Sequence, residues 1–192
     1  MTFSIEKLPE TLRAVSDEQD ANAAVALLLK LEHGEPYVLF VRRVQNSRDP
    51  WSGQMALPGG KRQAEDKDLK ATAIRETLEE TNIDLHYHCH FLGVMPTFQS
   101  EPKPEIKVLP FVIHVQKEPS ITLNKKELEE HFWIPVDELV RNRRKVKFSF
   151  GEFPAFTVGS TIIWGLTYRI VERFISCLAT EKQRNDNGPS GY

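Results

Sequence analysis

Gly59-Gly60-Lys61-Arg62-Gln63-Ala64-Glu65-Asp66-Lys67-Asp68 runs directly into Leu69-Lys70-Ala71-Thr72-Ala73-Ile74-Arg75-Glu76-Thr77-Leu78-Glu79-Glu80-Thr81-Asn82-Ile83. This is a glycine-rich loop followed by a segment without Pro or Gly, and Asp66 and Asp68 are both candidate N-caps. The pattern predicts a helix over residues 68–81. At about 100° per residue, Ile74 and Leu78 fall on one side, while Glu76, Glu79 and Glu80 spread over the opposite side. Three glutamates with only Arg75 beside them repel one another unless something compensates. A hard divalent cation, Mg²⁺ or Mn²⁺, would do so, because carboxylate oxygens suit such ions and substrate phosphates complete their shell. The alternative is an ordinary solvated, Glu-rich helix face.

Reading outward from this stretch, Gln54 to Leu57 is expected to be a short strand that delivers the Pro58-Gly59-Gly60 turn. Glycines there let backbone groups approach a phosphate or metal closely. Upstream, Ala21 to Leu31 reads as a buried strand and Tyr37 to Val44 as a second, joined by a His33-Gly34-Glu35-Pro36 turn. Arg42 and Arg43 end that strand on opposite faces, so one is expected toward a pocket and the other toward solvent. Downstream, His86, His88 and His90 alternate beside Cys89 along an expected strand. A half-exposed strand face explains them better than zinc, because no four-ligand N/S set with zinc-site spacing accompanies them. Ile106 to Val115 reads as a strand, Trp133 to Pro135 as a strand end and Val136 to Arg141 as a short helix. Ile163 to Leu178 reads as an amphipathic helix with Trp164, Tyr168, Val171 and Ile175 as its packing stripe.

The run Arg75-Glu76-Thr77-Leu78-Glu79-Glu80 after Gly60 resembles the Nudix box, G-x5-E-x7-R-E-U-x-E-E-x-G-U with U aliphatic. Fourteen residues separate Gly60 from Arg75 where the pattern has thirteen, so Lys67 takes the early glutamate position between Asp66 and Asp68. Thr77 stands at an aliphatic position. Asn82 replaces the second glycine, a tolerable exchange because Asn is the next-best residue in a left-handed helix end. The longer box is similar to the Nudix subfamily that cleaves coenzyme A, in which an aspartate follows Pro-Gly-Gly at the distance of Asp66. Gly53-Gln54-Met55-Ala56-Leu57-Pro58-Gly59-Gly60 resembles that subfamily's G-Q-x-x-F-P-G-G. Asn124 to Leu128 with Phe132-Trp133-Ile134-Pro135-Val136, and Ile163-Trp164-Gly165-Leu166-Thr167-Tyr168-Arg169-Ile170, resemble its later segments. Its upstream leucine, arginine and histidine are replaced by Arg48, Asp49 and Trp51.

The resemblance implies an α/β fold, an α/β/α sandwich with a mixed β-sheet, and metal-dependent hydrolysis of a pyrophosphate bond in a nucleoside diphosphate-linked compound, coenzyme A or an acyl derivative first. A dinucleotide, nucleotide sugar or nucleoside triphosphate is the same-class alternative, and a non-catalytic nucleotide-binding module the different-class one. The expected catalytic residues are Glu76, Glu79 and Arg75, with Arg75 orienting a glutamate through a two-point contact. The expected metal set is Glu76, Glu79, Glu80 and Gly60. Glu127 and Asp66 are additional acid/base candidates. The substrate-binding set is Arg42, Arg43, Gly59, Lys61, Arg143 and Arg144. The last two belong to a basic run, Arg141 to Lys147, which reads either as a solvated loop or as a contact for an extra phosphate.

The 192 residues fit one domain with a substantial core, 40% hydrophobic and 27% charged. Residues 1–20 are expected as an N-terminal extension with a short helix from Ile5 to Val15, 21–178 as the domain, and 179–192 as a disordered tail. A net charge of −2 implies no general attraction to polyanions, so no nucleic-acid partner is expected. Two cysteines are too few for a disulfide framework, and no signal peptide or membrane span is apparent. The expected home is cytoplasmic, with monomer and homodimer both open.

Overall fold

The structure is a computed structural model that describes residues 8, 11–16, 20–46, 51–101 and 103–186, with side chains described as far as Leu178. Eight strands build the main sheet: β1 (Ala23–Glu32), β2 (Glu35–Arg43), β3 (Met55–Ala56), β4 (Gly59–Lys61), β5 (Cys89–Val94), β6 (Phe98–Gln99), β7 (Lys107–Val115) and β8 (Leu128–Pro135). The path β3-β2-β1-β7-β5 runs through its centre, with β4 added to β1, β6 to β7 and β8 to β2. The sheet is mixed, because β1 and β7 are parallel while β1 and β2 form an antiparallel hairpin. That hairpin turns on His33 and Gly34, φ 52° and 82°, with Glu32 opposite Glu35. Two residues at positive φ suit the right-handed twist of paired strands.

Strand β1 shows why the sheet has two covered faces. Ala23, Leu27 and Leu29 enter one apolar cluster, while Ala24, Ala26 and Leu28 enter the other. The period of two thus splits a nearly continuous apolar run between two layers. One layer is helix α1 (Leu69–Thr81). The other comprises α2 (Val136–Arg141), α3 (Gly165–Asp186) and a three-stranded sheet of β9 (Arg143–Phe148), β10 (Gly151–Val158) and β11 (Thr161–Trp164). This is the expected α/β sandwich around a mixed sheet.

Several expectations change. Leu8 is fully buried, and Arg13 exchanges both backbone hydrogen bonds with Val94, each 3.0 Å, so 11–16 adds to the edge of β5 instead of forming helix. The rest of the expected N-terminal helix lies outside the described residues. His86 and His88 lie in a turn and only His90 lies in β5, because His88 at φ 54° breaks the alternation. The basic run is strand β9, not a loop. Trp164 closes β11 and Gly165, at φ 63°, turns the chain into α3, so the indole is not part of a helical stripe. Helix α3 continues to Asp186, past the expected start of the tail at 179, because no Pro or Gly interrupts that stretch. Among the described residues no helix is long and apolar enough to cross a membrane.

Candidate active site

Asp68 caps α1, accepting from the Ala71 amide at 2.7 Å, and Asn82 ends it at φ 60° with its own N–H on the Leu78 carbonyl. Both ends match the sequence expectation. The buried face does not. Leu69, Thr72, Ala73, Thr77, Glu80 and Thr81 face the sheet, while Leu78 is 41% exposed. Small Ala and Thr side chains let the helix backbone approach β1 and β4 closely. That approach carries Glu80 into the interior, where it is only 4% exposed.

Glu80 is held there by the glycine turn, whose Gly59 amide donates to Oε2 at 2.9 Å. Gly59 has φ +149°, and a Cβ on it would meet the Ala24 carbonyl oxygen at 2.2 Å, so only glycine fits. A Cβ on Gly60 would come within 2.5 Å of the Glu76 carboxyl carbon. Gly60 therefore makes room for the Glu76 carboxylate, while Gly59 lets the turn press against β1 and offer its amide to Glu80.

Asp66 and Arg75 form the scaffold. The Arg75 Nε donates to Asp66 Oδ1 and its Nη2 to Oδ2, both at 2.9 Å, and the Gln63 amide and Thr72 hydroxyl donate to Oδ2 as well. Arg75 Nη1 then reaches Glu76 Oε1 at 2.9 Å and Glu79 Oε2 at 3.0 Å, and Nη2 also reaches the Lys61 carbonyl. The two-point contact thus falls on Asp66, not on a glutamate. Hydrogen bonding to Arg75 holds the Asp66 carboxyl well below the usual carboxylate range despite its burial. A carboxylate so fully engaged is an anchor, so the acid/base candidacy of Asp66 is not supported by the geometry.

The remaining carboxylates do gather. Burial raises the pKa of Glu80 to about 8, opposed by the Gly59 amide and pushed further by the charges of Glu76 and Glu127. Burial likewise raises Glu76, against the pull of Arg75, with Glu79 and Glu127 adding to the rise. Glu127 reaches this cluster from the turn before β8, where Asn124 Nδ2 holds its Oε1 at 2.9 Å. Glu79 stays accessible, with its side chain 54% exposed. Among the described residues no three acidic, His or Cys side chains already form a metal cage. The donor set nevertheless fits a hard divalent cation, being several oxygen ligands whose mutual repulsion a cation would relieve. Glu76, Glu79 and Glu80 are the residues that would hold it.

A cleft of about 480 Å³ opens beside this cluster. Gly59, Gly60, Lys61 and Arg43 line it, and the Arg43 charge is felt at Glu80. Arg42 points the other way, pairing with Glu130 at 2.8 Å over the Phe132 ring. Arg143 pairs with Glu172 at 2.9 Å and Arg144 donates to the Arg141 and Arg143 carbonyls; neither lines the cleft. The expected substrate set therefore divides, with Arg43, Gly59 and Lys61 at the cleft and Arg42, Arg143 and Arg144 away from it. The sequence reading missed Trp51, Phe150, Phe153, Trp164 and Arg169, all of which line the cleft. The aromatic spacing in 148–153 was the available signal.

A mixed sheet flanked by helices, with a glycine turn pressed against an arginine-clamped glutamate helix, defines a class, and residues 20–154 match the NUDIX domain. The chain belongs to the Nudix family. Within it, the chain is a pyrophosphohydrolase similar to the coenzyme A pyrophosphatase-like subfamily. It is 31% identical over 167 residues to mitochondrial coenzyme A diphosphatase NUDT8 of Mus musculus, covering 83% of this chain and 79% of that one. Peroxisomal coenzyme A diphosphatase ndx-8 of Caenorhabditis elegans is 30% identical, over 71% of this chain and 57% of its own length. An uncharacterized Schizosaccharomyces pombe protein, C14C4.10c, is 40% identical over 110 residues, which make up 55% of this chain and only 33% of that protein's length. The fold is shared with a Mycobacterium smegmatis Nudix hydrolase, RenU, at TM-score 0.57 and 16% identity over 83% of this chain and 86% of that one. It is also shared with the NUDIX domain of Shewanella oneidensis NrtR, solved with ADP ribose, at TM-score 0.53 and 15% identity over 94% and 99% of the two chains.

Proposed function

We propose that the chain hydrolyses the pyrophosphate bond of coenzyme A or an acyl-coenzyme A with Mg²⁺ or Mn²⁺ bound at the box glutamates. The observation that carries the metal part is the crowding of carboxylates beside a cleft lined by the same glycine turn, where the charges of Glu79 and Glu127 are felt at Glu76 and those of Glu76 and Glu127 at Glu80. The substrate part is supported by the relatives named coenzyme A diphosphatase.

A bound divalent cation supplies positive charge to the phosphate oxygens and acidifies the attacking water. The protein does the rest. Arg75, anchored by Asp66, keeps Glu76 and Glu79 in place, and the Gly59 amide fixes Glu80. These glutamates share the ligand and proton-accepting roles. Arg43 and Lys61, on the cleft wall, attract the anionic diphosphate. The test is a hydrolysis panel of coenzyme A, an acyl-coenzyme A, a dinucleotide and a nucleotide sugar, each with Mg²⁺, Mn²⁺ or chelator. The expected result is cation-dependent release of phosphopantetheine from coenzyme A at the highest kcat/KM of the set. Faster turnover of a nucleotide sugar would reassign the substrate, and unchanged turnover in chelator would remove the metal.

A further inference from the structure

His86, His88 and His90 do not share a strand face, but the fold gives one of them a different neighbour. Strand β5 runs antiparallel to β7 with His90 directly opposite His114. Residues opposed in this way project from the same face of the sheet, with Cβ atoms about 4.5–5.5 Å apart. Imidazoles rooted that close can meet on one cation, at metal–nitrogen distances of about 2.0–2.1 Å. No spacing in the sequence announces the pair, because the register of two strands makes it.

The face they share is open at this level. Val112, before His114 on the same face of β7, and Leu29, its neighbour on β1, are buried in the apolar cluster that α3 joins. Leu31, the next residue of β1 on that face, is 37% exposed, so the covering layer ends here. His90 is exposed and His114 half-buried. Burial holds the His114 imidazole below the ordinary histidine value, and the charge of His90 pushes the same way. A neutral imidazole offers its lone pair with no proton to displace.

No third ligand closes the group. Cys89 packs with the other apolar cluster, on the α1 side, and burial raises its thiol to about 11, so it stays protonated. His86 and His88 lie in the turn before β5, and among the described residues no three His, Cys, Asp or Glu side chains come together to hold an ion. The pair is therefore a two-point chelate whose remaining positions are open to water. Imidazole nitrogen suits Zn²⁺, Ni²⁺ and Cu²⁺, whereas the carboxylate oxygens of α1 suit Mg²⁺ or Mn²⁺, so donor type separates the two places. Distance separates them too. Val108 lines the cleft, and the strand from there to His114 covers about 20 Å.

We propose that His90 and His114 form a second cation site, an open two-imidazole chelate across β5 and β7 for a transition-metal ion of the Zn²⁺, Ni²⁺ and Cu²⁺ class. A bound ion ties β5 to its neighbour and stabilises the folded chain. The test uses the full chain without an affinity tag. It should be retained on immobilised Ni²⁺, and His90→Gln or His114→Gln should each release it at lower imidazole. His33→Gln, His86→Gln, His88→Gln and His131→Gln, all at exposed positions, should elute with the wild type. In solution with Mg²⁺ in excess, calorimetric titration with Ni²⁺ should show a site weakened about 10-fold or more by His90→Gln, with the metal-free melting temperature unmoved. Ni²⁺ affinity unchanged in both pair variants, or lost in Glu80→Gln instead, places the ion at the glutamates and overturns the proposal. Equal loss of retention in any of the four control variants reduces the pair to histidines acting singly and overturns it as well.

Discussion

The stretch from Gly59 to Thr81 and the three-stranded sheet from Arg143 to Trp164 both carry dense charge, and they use it in opposite ways. In the first, Asp66 and Glu80 are taken inside, and the box carboxylates each have a named partner: Asp66, Glu76 and the more exposed Glu79 have Arg75, and Glu80 has the Gly59 amide. In the second, Arg144, Lys145 and Lys147 remain exposed, and the aromatic rings that follow them, Phe150, Phe153 and Trp164, line the cleft. Charge density alone therefore does not mark a site. What distinguishes the two is burial together with a fixed partner, because only buried, held charges cost enough to need a function.

The sharpest break in this comparison comes from Glu80→Gln. Loss of a ligand carboxylate should lower kcat by about 10³-fold or more, measured on coenzyme A with saturating Mg²⁺. The fold should persist, since the amide oxygen can still accept from Gly59. The buried acid also makes a stability prediction for the cation-free protein. Its folded pKa of about 8 lies above the ordinary 4.5, so the folded state favours the protonated form. The cost of burial is absent below about pH 4.5, grows through the interval and is complete above about pH 8. In chelator at pH 8.5 the glutamine variant should therefore melt higher than wild type, by roughly 2–4 °C for each 1 kcal/mol relieved. The gap should close at pH 4.5. A gap independent of pH would mean that Glu80 is not buried as a carboxylate.

The same contrast explains what could be read from the chain beforehand. Helix α1 was legible almost to the residue, because Asp68 and Asn82 act locally, through their own side chain or dihedral angle. Arg42 and Arg43 were divided correctly by the period of two. The burial of Glu80 was not legible, because it depends on how closely α1 sits on β4, which is set by small side chains at Ala73 and Thr77 and not by any apolar stripe. Leu78 looked like core and is exposed for the same reason. Trp164 was misplaced because Ile163-Trp164-Gly165-Leu166 contains no proline, and the left-handed Gly165 that ends β11 is indistinguishable in sequence from a glycine tolerated within a helix. The basic run misled because strand β9 hides its aromatic neighbours' role until β10 folds back on it.

Arg75→Lys tests the anchored side of the comparison with a smaller effect. Lysine keeps the charge but cannot span Asp66, Glu76, Glu79 and the Lys61 carbonyl at once. Asp66, with its side chain 5% exposed, would keep only the Gln63 and Thr72 donors and a single ammonium. Stability should fall by about 1–3 kcal/mol, read by denaturant midpoint. kcat should fall about 10- to 100-fold, while KM changes less, because Arg75 positions carboxylates and does not line the cleft. Activity equal to wild type would mean the glutamates hold their places without the clamp.

The smallest effect is expected on the exposed side. Arg143→Ala/Arg144→Ala removes two charges from the run that most resembles a phosphate-binding patch in sequence. Arg143 is 37% exposed and already committed to Glu172, itself 32% exposed, and such half-exposed pairs are worth about 0–1 kcal/mol. Arg144 caps nearby carbonyls from the surface. Neither side chain lines the cleft, so KM for coenzyme A should change less than about twofold, and the ratio of coenzyme A to 3′-dephospho-coenzyme A turnover should stay at its wild-type value. Raising the salt concentration should lower activity equally in both proteins, because the charges that meet the diphosphate, Arg43 and Lys61, are intact in each. A tenfold rise in KM confined to the 3′-phosphorylated substrate would show that the ligand reaches around β10 to the outer strand. The two regions would then be alike in using charge for binding, and burial would lose its standing as the property that separates them.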